Sequence, residues 1–250
     1  MKHDITFELC AESLQACLAA GEGGAARIEL CSALSEDGLT PSHALIRAAV
    51  ERSGLPVYVL LRPRAGGFVY SPDEFALIRE DLLHARSLGA TGFVVGVLHP
   101  DATIDIERTY ELVELAAPLE VTFHGAFDLT PSLDDALEDV VATGCRRILT
   151  SGGERDVVAG AANLHRLVQL AADRIAIAAG GGLRIENAAA VARQSRAHHF
   201  HGSLLRRPAN TFTHKEGAAL PSGSKLASSV HPEGIRALLQ ELRSVEHPEP

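Results

Sequence analysis

Residues 57–98 read VYVLLRPRAGGFVYSPDEFALIREDLLHARSLGATGFVVGVL, and this stretch holds one full unit of the pattern that decides the fold. VYVLLR (57–62) is a short apolar, β-branched run of strand length. In PDEFALIREDLLHARSLG (72–89) apolar residues recur at helical spacing: Phe75, Ile78, Leu82 and Leu83 share a face, and Gly89 supplies the stop. GFVVGVL (92–98) is a second strand-like run. Strand, helix and strand in this order predict a right-handed βαβ unit with parallel strands.

The same alternation runs along the whole chain. Strand-like runs occur at ITFEL (5–9), RIEL (27–30), LEVTFH (119–124), RRILTS (146–151), RIAIAAG (174–180) and HHFHGS (198–203), with Ala/Leu/Glu/Arg-rich stretches between them. Ser42 after Pro41 and Ser132 after Pro131 are helix-start signals, and Gly144 is a stop. Counting the first two runs, eight strand–helix units in 250 residues predict a single-domain (β/α)8 TIM barrel over residues 1–250. The dinucleotide fingerprint GxGxxG is missing after the first strand, which weighs against an open doubly wound sheet. Residues 206–231, RRPANTFTHKEGAALPSGSKLASSVH, keep no period and read as a long loop over the barrel mouth before a last helix near 232–245.

Composition narrows the function. Apolar residues make up 46% and charged residues 22%, an ordinary globular balance. A net charge of −9 argues against nucleic acid and anionic membrane surfaces as partners. No apolar run approaches the roughly 20 residues that span a bilayer, and MKHDITFELC lacks the apolar core of a signal peptide, so the expected location is the cytoplasm. The four cysteines form no CxxC pair and read as free thiols. Cys17, in a helical stretch, and Cys145, at a strand start, read as packing.

In a TIM barrel the chemistry gathers at the carboxyl ends of the strands. There the tripeptide Glu-Leu-Cys occurs twice, as Glu8-Leu9-Cys10 and Glu29-Leu30-Cys31. Residues two apart on a strand point to one face, so two carboxylates and two thiols on neighbouring strands can converge on one patch. The alternative for such thiols is burial as small hydrophobes. The third strand supplies Arg62 and Arg64, whose guanidinium forks suit an anion or neutralise the glutamates. The fifth supplies His124 and Asp128. Ser151, Gly152 and Gly153 after the sixth strand, and Gly180, Gly181 and Gly182 after the seventh, can offer backbone N–H groups to an anion. The eighth strand carries His199 and His201, of which His201 lies nearer the strand end.

These motifs resemble the CutC copper-homeostasis family. The likeness runs from Glu8 to about Arg207 through ELCAES, RIELCSAL, GLTPS, RPRAGGFVYS, VVGVLHPD, TFHGAFD, RILTSGG and FHGS. It implies a cytoplasmic (β/α)8 barrel, often self-associated as a homo-oligomer, that handles copper and binds Cu(I), with Cys10 and Cys31 as ligands. The chain departs from the family pattern in two places. Gly125 replaces the arginine of FHRAFD, and Gly67 replaces the aspartate of RPRGGDF.

Two functions fit the residues. One is a copper protein, since soft Cu(I) favours thiolates. The other is an enzyme acting on a small anionic or phosphorylated metabolite as isomerase, lyase or hydrolase. In it Glu8, Glu29, His124, Asp128 and His201 are candidate acid–base groups beside an anion clamp.

Overall fold

The computed structural model describes residues 4–204 and 229–245. Eight strands alternate with eight α-helices. The strands are β1 (Thr6–Ala11), β2 (Arg27–Leu30), β3 (Val57–Leu60), β4 (Gly92–Val95), β5 (Glu120–Phe123), β6 (Arg147–Thr150), β7 (Ala176–Ala179) and β8 (His199–Gly202). The helices are α1 (Leu14–Gly23), α2 (His43–Arg52), α3 (Pro72–Ser87), α4 (Ile106–Ala116), α5 (Leu133–Ala142), α6 (Ala161–Ala171), α7 (Ile185–Ser195) and α8 (Pro232–Arg243). Every strand pairs in parallel with its neighbour, and β8 returns to β1, so the sheet closes as the TIM barrel that the sequence predicts. Most of 206–231, the expected mouth loop, lies outside the described residues.

Local chemistry sets the helix ends. Ser71 accepts the Glu74 N–H while the Glu74 carboxylate accepts the Ser71 N–H, a capping box followed by Pro72 at the first helical position. The Ser42 and Ser132 hydroxyls cap α2 and α5 by accepting the N–H groups of Leu45 and Asp135. Gly89 and Gly144 end their helices with positive φ, 90° and 82°. One expectation needs correcting: Phe75, Ile78 and Leu82 are buried, but Leu83 is 49% exposed and Ala85 takes its place in the core. At about 100° per residue, Leu83 falls beyond the edge of the stripe centred on Ile78, Leu82 and Ala85.

Strand alternation separates two cores. Outward-facing Phe7, Leu9, Ile28, Leu30, Val59, Phe93 and Phe123 are buried under the helices in one large apolar cluster. Each such side chain contributes about 1.5–3 kcal/mol by leaving water. Cys10, Cys31, Tyr58, Leu60 and Val94 form a small separate cluster. Buried polar residues of the strands include Glu8, Glu29, Arg147 and His201. On the inner face, the positions either side of Val94 must be small. A Cβ at Gly92 would come within 2.3 Å of the Tyr58 ring, and one at Gly96 within 2.2 Å of the His124 ring.

Candidate functional site

The register of β1 with its neighbours assembles the site. Glu8 lies opposite His201 on β8 and Arg27 on β2, while Cys10 lies opposite Glu29. The two Glu-Leu-Cys copies are thus staggered by two residues, so the Glu29 carboxylate stands level with the Cys10 thiol while Glu8 stands level with Arg27 and His201. The His201 Nδ1–H donates to Glu8 Oε1 at 2.9 Å and lies 3.9 Å from Glu29 Oε2. Arg147 and Arg27 approach Glu8 Oε2 at 3.5 and 3.8 Å. Arg147 also donates to Thr122 Oγ1, and both guanidiniums lie over the Tyr58 ring, whose hydroxyl donates to Glu120.

Surroundings push the two carboxylates in opposite directions. Burial raises the proton affinity of Glu8, but the His201 hydrogen bond and the charges of His201, Arg147 and Arg27 outweigh it, holding Glu8 below the ordinary range. Burial raises Glu29 above that range, aided by the Glu8 charge and opposed by His201. His201 is driven down by burial, yet Glu29 and Glu8 together hold it above its usual value. Glu8 is therefore the settled carboxylate, and Glu29 and His201 hold protons more readily.

The thiols lie beside this triad. Cys10 donates to Glu29 Oε1 at 3.6 Å, and its sulfur lies 3.7 Å from that of Cys31. The Cys31 contact, burial and the Glu29 charge push the Cys10 thiol well above its usual value. Ligand atoms of Cys10, Glu29 and His201 all fall within 4.8 Å of one another. Two sulfurs 3.7 Å apart can both reach one ion at the ~2.3 Å of a metal–thiolate bond, so spacing and softness fit Cu(I). The carboxylate of Glu29 is a harder donor than Cu(I) prefers. Cys17 and Cys145 are buried elsewhere, with thiols pushed up to about 12 by burial.

Above the triad lies a cavity of about 520 Å³ whose walls include Cys10, Glu29, Arg62, Phe68, His124 and His201. His124 begins a short 3-10 helix, Gly125–Leu129, and its Nδ1 accepts the Ala126 N–H at 3.1 Å. Burial and then the Arg62 charge drive His124 down to about 3, so the ring is neutral with its proton on Nε2. Phe68 covers it, with ring centroids 4.8 Å apart, and the Arg62 guanidinium lies over Phe68 at 5.0 Å. Arg62 donates to the carbonyls of Glu36, Gly38 and Gly66 and makes no ion pair with Glu8 or Glu29.

Other expected site residues stand apart. Arg64 pairs with Glu74 and donates to the carbonyls of Ala65, Gly67 and Val69, outside the cavity wall. The Asp128 carboxylate accepts from Thr150 Oγ1, Ser151 N, Ser151 Oγ and Gly153 N, and the Gly152 N–H donates to Thr150 Oγ1. The amides of the sixth-strand loop thus close on an anion from the chain itself. After β7, Gly180 donates to the Thr150 carbonyl, Gly181 lines the cavity, and the Gly182 carbonyl accepts from Asn187. At Gly125 a Cβ would stand 4.0 Å from Asp128, and at Gly67 it would meet nothing within 4 Å. A Cβ is accommodated at both positions, so crowding at the backbone is not the reason for either glycine.

Sequence reasoning passed over Arg27, Arg147 and Tyr58, which sit near the amino ends of their strands. The signal was present: Arg27 lies two residues before Glu29 and shares its face.

Comparison with known proteins adds the following. The CutC family model matches residues 5–205. A family protein CutC of Chromobacterium violaceum is 40% identical over 240 residues, covering 96% of this chain and 97% of its own. The crystal structure of CutC from Streptococcus agalactiae, named as a candidate copper homeostasis protein, superposes with a TM-score of 0.76 and 32% identity, covering 80% of this chain and 98% of that one. N-(5'-phosphoribosyl)anthranilate isomerase from Pyrococcus furiosus superposes at 0.55 with 14% identity, over 96% of this chain and all of the isomerase (100%), a likeness of fold alone.

Proposed function

The chain belongs to the CutC family, and from that premise we propose that it takes part in copper homeostasis by holding Cu(I) between Cys10 and Cys31. The observation that carries this reading is the 3.7 Å separation of the two sulfurs at the adjoining ends of β1 and β2. His201, close to Cys10 and Glu29, is the third donor of this reading, and imidazole suits copper. The proposed compartment is the cytoplasm, where thiols stay reduced.

An anaerobic Cu(I) titration against a competing chelator tests this reading. One equivalent is expected to bind, and Cys10→Ser/Cys31→Ser is expected to weaken it by roughly a hundredfold, about 2.7 kcal/mol. Binding that the double substitution leaves unchanged would remove these thiols as the copper site.

A second reading, acid–base catalysis on a small anionic metabolite, is favoured by a different observation. His201 stands between two buried carboxylates, 2.9 Å from Glu8 and 3.9 Å from Glu29, beside a cavity of small-ligand size. The expected sign is exchange of a C–H proton for solvent deuterium in a panel of oxo and hydroxy acids, lost in Glu29→Gln. A panel without exchange, or exchange indifferent to that substitution, would count against catalysis by this triad.

A further inference from the structure

The cavity wall built by His124 and Arg62 has a feature that neither reading uses. The Ala126 N–H donates to Nδ1 of His124, so the neutral ring carries its proton on Nε2. That nitrogen is buried and has no hydrogen-bond partner. Arg62 is 4% exposed, and its terminal nitrogens donate to the carbonyls of Glu36, Gly38 and Gly66, but its Nε also has no partner. Two buried N–H groups thus lack acceptors on residues that line the same cavity and meet at Phe68. Buried donors without acceptors are rare and destabilising. The Arg62 charge, moreover, is met by carbonyl dipoles, the Phe68 ring and the Tyr70 hydroxyl, with no ion pair among the described residues. On another wall, Glu29 Oε2 is likewise without a hydrogen-bond partner.

We propose that the cavity binds a small 2-oxo or 2-hydroxy carboxylate, its carboxylate oxygens accepting from His124 Nε2–H and Arg62 Nε–H while the 2-hydroxyl donates to Glu29 Oε2, a contact the 2-oxo form lacks. The inference goes beyond the copper reading and supplies a ligand class for the acid–base one without requiring turnover. Donor chemistry selects the class. Both orphan groups are donors, so the ligand offers acceptors, and the guanidinium favours a negative one. A phosphate would need a wider ring of N–H groups, and the loop amides best suited to it, Ser151 and Gly153, are closed on Asp128. The two orphan nitrogens have almost no surface open to water, so Phe68, which packs on both side chains, must shift for the ligand to seat.

Calorimetric titration of the full chain in metal-free buffer, with pyruvate and lactate as probes, tests this independently of copper and of any reaction. Both carboxylates are expected to bind, lactamide and inorganic phosphate at least tenfold more weakly, and His124→Phe is expected to weaken both carboxylates at least tenfold. Because that substitution also removes the Ala126 acceptor, NMR of the native protein gives a second reading. The His124 Nε2–H resonance is expected to move on adding pyruvate. Absence of carboxylate binding, equal binding of phosphate or lactamide, or an unmoved His124 resonance would each overturn the assignment. Carboxylate binding without proton exchange would uphold the ligand class and sink only the acid–base reading.

Discussion

Arg147→Met is expected to destabilise the fold by about 2–3 kcal/mol, less than the ~3–5 kcal/mol of a buried charge left with no partner. Arg147 is 5% exposed and approaches Glu8 at 3.5 Å. Methionine occupies similar volume but leaves Glu8 with Arg27 at 3.8 Å and His201. The loss is mainly a carboxylate left only partly compensated, so Arg147→Met/Glu8→Gln is expected to recover most of it. The pH dependence follows from Glu8. Its folded-state affinity for protons lies below the ordinary value of 4.5, so its contribution is present above that value and fades as pH falls through the lower, folded one. The gap between native and Arg147→Met therefore narrows on acidification. Urea unfolding at pH 7 and stepwise down to about pH 2.5 measures both effects; a gap constant with pH, or a double variant no better than the single, would contradict this account.

The fold was legible because both of its periodicities are local. Strand runs and helical stripes recur with capping signals such as Ser71 and Gly89, and eight repeats leave few ways to close a sheet. Leu83 was misplaced because a four-residue match is too short to fix the centre of a helical stripe. The site was legible in parts. Alternation put Glu8 with Cys10, but the stagger that sets Cys10 beside Glu29 depends on barrel shear, which no single strand encodes. Arg27 and Arg147 escaped notice because attention to strand ends misses charges that reach in from strand starts. Asp128 sits at the mouth, as its position after β5 suggests. Its partners, however, come from the loop after β6, and that pairing is tertiary.

That loop also makes Gly160→Ala the substitution with the largest expected effect outside the charged site. Gly160 has an ordinary φ of −84°, so backbone strain is not the reason for a glycine. Space is: a Cβ would lie 1.7 Å from the Ser151 carbonyl oxygen and 2.8 Å from its carbon. The obstacle is backbone, so no rotamer change relieves it, and the start of α6 must part from the loop after β6. Parting them breaks the Asn163 Nδ2–H bond to the Gly152 carbonyl and loosens the clamp on Asp128. A cost of about 3 kcal/mol is expected, the upper end for overpacking, or roughly 6–12 °C in Tm for a chain of this size. Gly125→Ala is the contrast, because its nearest neighbour would be Asp128 Oδ2 at 4.0 Å, and a change within about 0.5 kcal/mol is expected. Gly181 lines the cavity, and its carbonyl accepts from Val157 in the chain leading to Gly160. Displacement at Gly160 therefore reaches the cavity wall, and Gly160→Ala is expected to weaken pyruvate binding as well as stability. Equal stability of the two variants would mean that the loop yields freely and that its contacts do not hold the mouth in shape.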